Sequence, residues 1–190
     1  MRISLLRSSL LISLMVTLSL STQAKFGLDE GMSGGGGYVI APQAPDHQMS
    51  PDYVEHIIER GGQESLKSYL ILKKEKLQAG KLPGAEISTI EKLFSSPIFE
   101  AVDRARIIIN ENDSCYGANG EPTDGSFYIK KKHAICISAK NISQKVHRSE
   151  IKPQTYALMV HEYSESMGFT EQEAKEIQKI VLDDLKNETK

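Results

Sequence analysis

Between positions 161 and 171 the sequence reads His-Glu-Tyr-Ser-Glu-Ser-Met-Gly-Phe-Thr-Glu, and four of these side chains could act together on a metal ion or a proton. Residues four apart lie on one face of a helix, so His161 and Glu165 point the same way and can share one divalent ion. Glu162, one position round, can orient a water. Gly168 lets the chain turn back, and Glu171 just past the turn can approach the same point as a third ligand. Imidazole nitrogen and carboxylate oxygen are both good donors to zinc.

This stretch resembles the metal-binding helix of the zincin metallopeptidases, which reads His-Glu-x-x-His and in one large group continues x-x-Gly-x-x-His or x-x-Gly-x-x-Asp. It looks in particular like small exported bacterial zincin-like proteins, with a cysteine-containing strand, a His-Glu helix and a Gly-x-x-Glu continuation. The resemblance is tight over about 11 residues. It implies metal ligands at His161, Glu165 and Glu171, a general base at Glu162, a zinc cofactor and a peptide or protein substrate. The chain departs from the pattern at Glu165, which stands where the second histidine is usual. Two carboxylates nearly cancel the charge of the ion, so bound water is less acidic and a carbonyl less polarised than in a histidine-rich site. The oxygen-rich set also shifts preference towards harder metals such as manganese.

Other chemistry-bearing residues carry less. His47, His56, His133 and His147 have polar neighbours and are expected to be exposed. Gly31, Ser33 and Gly35 spell the Gly-x-Ser-x-Gly pattern of serine hydrolases, but that pattern needs a strand before it and a helix after it within a large sheet. Asn112, Asp113 and Asp124 lack the spacing of a calcium loop and are expected in a solvated turn. Lys73, Lys74 and Lys76 read as the solvated side of a helix.

The elements that must position the site follow from periodicity. Ser50 caps a helix with Pro51 in its first turn and Val54, Ile57 and Ile58 on its apolar face. A second helix is expected over 64–78, a shorter one near 86–94, and a turn of helix after Pro97. Strands are expected at 107–109, 127–130 and 134–138, the last half-buried because Ile135 and Ile137 alternate with Cys136. Pro153 starts the helix bearing His161, which ends at Gly168. Thr170 and Glu173 form a capping box for a final amphipathic helix.

Residues 1–24 carry Arg2 and Arg7, an apolar run from Leu10 to Leu20, and the small-residue exit Thr22-Gln23-Ala24. That is the layout of a cleavable signal peptide, with an apolar run too short to span a membrane. Residues 25–49, with the glycine run 34–37 and two prolines, are expected to form a flexible arm that buries nothing. The 190-residue chain has 23 basic and 25 acidic side chains, and loss of Arg2 and Arg7 with the leader leaves a net charge of −4. This balance points away from nucleic acid. Cys115 and Cys136 are the only two cysteines, and in an oxidising compartment they are expected to pair.

The sequence therefore predicts an exported, periplasmic or extracellular α+β protein. Its zincin-like domain, 50–190, has N-terminal helices, a short antiparallel sheet, the metal-site helix and a C-terminal helix. The expected activity is that of a weak or degenerate metal-dependent peptidase. The alternatives are a non-catalytic zincin-like binding protein and a small envelope structural protein without a metal site.

Overall fold

The computed structural model describes residues 37–40, 49–60, 62–128 and 134–188. Residues 1–24, expected to be a signal peptide, the serine pattern at 31–35, His47 and His133 lie outside the described residues. The fold is α+β, as the periodicity predicts.

Among the described residues four helices come first: α1 (Pro51–Glu59), α2 (Gly62–Gln78), α3 (Gly84–Ser95) and α4 (Ile98–Arg104). Ser50 caps α1 by accepting from the Asp52 amide at 3.3 Å, and Val54 and Ile58 are its buried face. Lys73 of α2 departs from the expected solvated side. Its stem is buried, and its ammonium donates to Glu86 at 2.7 Å and to Asp184 at 2.6 Å. The Tyr69 hydroxyl donates to the same Asp184 carboxylate, so two counter-charges and a shared acceptor offset the cost of removing the lysine from water.

Strands β1 (Arg106–Asn110), β4 (Gly125–Tyr128) and β5 (Ala134–Ser138) make the main sheet, and β2 (Cys115–Tyr116) with β3 (Pro122–Thr123) makes a small ribbon. The main sheet is mixed rather than wholly antiparallel. Its order is β1-β5-β4, with β1 parallel to β5 and β4 antiparallel to it. β5 is therefore central, and all five of its residues are buried, not alternate ones. Cys136 fills the second face and is joined to Cys115, tying the ribbon to the central strand. Ser138 ends β5 and caps α5 (Ala139–Lys145) by accepting from the Asn141 amide.

A 3-10 turn (Arg148–Glu150) leads into α6 (Ile151–Ser166), which α7 (Glu171–Glu188) follows. α6 packs chiefly against α7 and β4 and is buried along nearly its whole length, including His161, Glu162 and Glu165. Its apolar residues Leu158, Met159 and Val160 belong to the core.

The stretch expected to bury nothing is corrected at residues 37–40. Val39 is a core residue at 6% exposure, and the backbone of Gly37–Ile40 is hydrogen-bonded to β4, α6 and α7. Partners 84 or more positions away supply what the local composition lacks.

Candidate metal centre

The turn between α6 and α7 brings the site together, and local chemistry dictates its shape. Gly168 has φ +92°, a conformation glycine adopts without penalty. Its amide donates to the Glu165 carbonyl and that of Phe169 to the Ser164 carbonyl, the paired bonds of a Schellman helix ending. Two residues on, Thr170 and Glu173 exchange bonds. The Thr170 amide donates to Glu173 Oε2 at 3.0 Å and the Glu173 amide to Thr170 Oγ1 at 3.4 Å, closing the expected capping box. Glu171 is thereby fixed in the first turn of α7, facing the end of α6.

Ligand atoms of His161, Glu165 and Glu171 lie within 4.8 Å of one another. His161 Nε2 is 3.6 Å from Glu165 Oε2 and 3.6 Å from Glu171 Oε2. Those separations are too long for hydrogen bonds and close to the edge of a tetrahedron with zinc-ligand bonds, about 3.4 Å. All three atoms are buried without a hydrogen-bond partner among the described residues. Buried polar atoms are ordinarily paired, and each one left unpaired costs about 1–3 kcal/mol. A cation between them would satisfy all three at once. His161 Nδ1, through which a metal-bound histidine is usually anchored, has no partner among the described residues either.

Lys175 donates to Glu171 Oε1 at 2.9 Å, leaving Oε2 turned to the cluster. Burial pushes the Glu165 carboxyl up, against the pull of the neighbouring His161. Partial burial opposes ionisation of Glu171 too, but the neighbouring Glu165 carboxyl, itself held towards its neutral form by burial, and the Lys175 ammonium outweigh it and draw that carboxyl down.

Glu162 stands beside this cluster and is fully buried. Burial raises its carboxyl well above the ordinary glutamate range, and the charge of Glu165 adds to the effect. The Gly37 amide, which donates to Oε1, offsets part of it. That bond is 3.0 Å long, while Oε2 has no partner among the described residues. Two glycines make room for the carboxylate. A Cβ at Gly125 would lie 2.6 Å from Glu162 Oε1, and a Cβ at Gly37 would collide with the same oxygen and lie 2.9 Å from His161 Cδ2.

The structure thus brings together the three predicted ligands, with the predicted base beside them. His56 and His147 are exposed, as expected. Asp124, expected in a solvated turn, is instead fully buried at the start of β4. It accepts from Lys145 at 2.5 Å and from the Val39 amide at 3.1 Å. Gly37 and Gly125 are the participants that local sequence reasoning passes over. Two glycines that flank one carboxylate from distant positions are recognisable only once β4 and α6 are in contact.

No family model, curated protein or solved structure matches this chain, so the meaning of the site rests on its own geometry.

Proposed function

We propose that the chain is an exported zincin-like protein in which His161, Glu165 and Glu171 hold one divalent metal and Glu162 is the general base of a slow peptide hydrolysis. The observation that carries this reading is the convergence of three buried ligand atoms, unpartnered among the described residues, at separations suited to a common ion. The fully buried Glu162, one residue from a ligand and with one oxygen unpaired, supports its role as proton acceptor. The disulfide fits an oxidising compartment, and periplasm or extracellular medium is the proposed location.

A bound divalent ion would lower the pKa of a coordinated water and polarise a substrate carbonyl. With one neutral imidazole and two carboxylates around it the ion keeps little net charge, so the activity is weak, and manganese competes with zinc for the site. Metal content of protein purified without a polyhistidine tag tests the centre. Turnover of a peptide library that disappears in Glu162→Gln tests the activity.

One observation favours a second reading, a non-catalytic member of the same fold. The Gly37 amide already occupies one oxygen of Glu162. Stoichiometric metal with no peptide turnover under any condition would select it.

A further inference from the structure

Residues 37–40 are held almost entirely through their backbone, by groups from three elements remote in sequence. The Gly37 amide donates to Glu162, and the Gly37 carbonyl accepts from the amides of Asp124 at 3.1 Å and Gly125 at 3.0 Å. The Tyr38 carbonyl accepts from Gln178 at 2.8 Å, and the Val39 amide donates to Asp124. Gln154 grips Ile40 twice, accepting from its amide at 3.0 Å and donating to its carbonyl at 2.5 Å. Gln154, Gln178, Asp124 and Glu162 are all buried.

The segment runs alongside α6 in the opposite direction, from Glu162 at Gly37 to Gln154 at Ile40. Three residues of extended chain cover about 10 Å and eight residues of helix about 12 Å, so the two runs match. Side chains alternate as in a bound strand, with Tyr38 exposed and Val39 in the core. A side-chain amide that pairs with both backbone groups of one residue recognises extended peptide whatever its side chain. Two positions are read for their side chains: Val39, whose apolar group enters the core, and Gly37, where a Cβ would strike Glu162 and also lie 2.7 Å from Leu158 Cδ1.

We infer that the cleft formed by the start of β4, α6 and α7 is a binding site for an extended peptide backbone, and that Gly37–Ile40 is its internal ligand, closing the centre until the segment is withdrawn. The closure rests on the proposed metal-site reading, because Gly37 sits on the carboxylate assigned there as general base. The peptide site itself rests on the hydrogen bonds alone. A cut on the C-terminal side of Ile40 severs the segment from α1.

The test uses the whole chain from Lys25, with the recognition sequence of a site-specific protease in place of residues 43–48. The probe is a fluorescent peptide of residues 33–42. Nicked protein is expected to exchange its N-terminal piece for the probe, with saturable anisotropy. The uncut protein should bind it about 100-fold more weakly, because a tethered competitor acts at millimolar effective concentration. A probe carrying Gly37→Ala should not bind, and Gly37→Ala in the uncut chain should open the cleft to the wild-type probe.

Equal uptake before and after nicking would overturn the inference. So would a failure of the nicked chain to exchange while circular dichroism shows it folded, since the segment would then be a permanent part of the fold. Zinc titration of the same samples separates the two claims. Zinc bound without exchange sinks the internal ligand alone, and exchange without zinc binding sinks the metal centre alone.

Discussion

His161 Nε2 lies 3.6 Å from Glu171 Oε2 across the chain reversal that Gly168 makes at φ +92°. The histidine belongs to one helix and the carboxylate to the next, so the third ligand depends on a backbone conformation that only glycine adopts freely. Gly168→Ala has open space for its methyl group, and its cost is therefore conformational, about 1 kcal/mol. Thermal melting is expected to fall by a few degrees, and zinc affinity measured by calorimetry to fall with it. Unchanged zinc affinity would separate Glu171 from the centre.

Replacing Glu165 with histidine restores the more common ligand set and removes one negative charge from the ion's surroundings. Glu165→His is expected to bind zinc about tenfold more tightly, a difference of about 1.4 kcal/mol, and to raise any peptide turnover. Competition titration with a chromogenic chelator reads the first effect. Weaker binding than wild type would place Glu165 outside the ligand set.

Glu162 makes the stability of the metal-free protein depend on pH. Burial raises its carboxyl well above 4.5 in the folded chain, so the folded state holds a proton that the unfolded state releases. Its contribution is present in full below pH 4.5 and is lost as pH rises towards the folded value. Glu162→Gln can still accept from Gly37 but cannot ionise. It should melt higher than wild type at pH 7 by about 2–4 °C or more, what 1 kcal/mol is worth in a domain of this size, with the difference shrinking near pH 4. Melting curves of chelator-treated protein across that range decide the matter, and parallel curves would remove the buried ionisation.

Cys115 and Cys136 close a loop with a sequence separation of 21, and the cross-link is expected to contribute about 3 kcal/mol. Native protein should show no titratable thiol. Reduction should lower the denaturation midpoint by the corresponding amount, and an unchanged midpoint would show that the ribbon is held by packing alone.

Lys73 differs from its neighbours in a way that mutation can expose. Its side chain is 2% exposed, while its partners Glu86 and Asp184 each keep 23% exposure. Lys73→Ala should therefore cost about 2 kcal/mol, below the 3–5 kcal/mol of a wholly buried pair. Lys76→Ala, at an exposed position of the same helix, should stay within about 0.5 kcal/mol, as surface substitutions usually do. Urea denaturation of the two variants makes the comparison, and equal midpoints would return Lys73 to the solvated side.

What was legible in the sequence was local. The ending of α6 at Gly168 and the Thr170–Glu173 box are set by residues within five positions of one another, and the i, i+4 spacing alone puts His161 and Glu165 on one face. What was hidden depends on distant partners. Lys73 looks solvated until Asp184, 111 positions away, is folded against it. Asp124 looks like a turn residue until Lys145 and Val39 meet it. The glycines at 34–37 signal chain freedom, yet Gly37 is fitted to Glu162, 125 positions on. β5 alternates like a half-buried strand, but β1 joins it in parallel and the disulfide covers its second face.

The most direct test is zinc titration by calorimetry of the tag-free protein alongside His161→Ala and Glu171→Gln. A metal centre built from His161, Glu165 and Glu171 requires one equivalent of zinc in the parent protein and a loss of affinity in both variants. Removing a ligand from a three-ligand site should weaken binding by more than the 10–100-fold typical of altering the groups that support a ligand. Negligible heat in all three, or equal affinity in parent and His161→Ala, would contradict it.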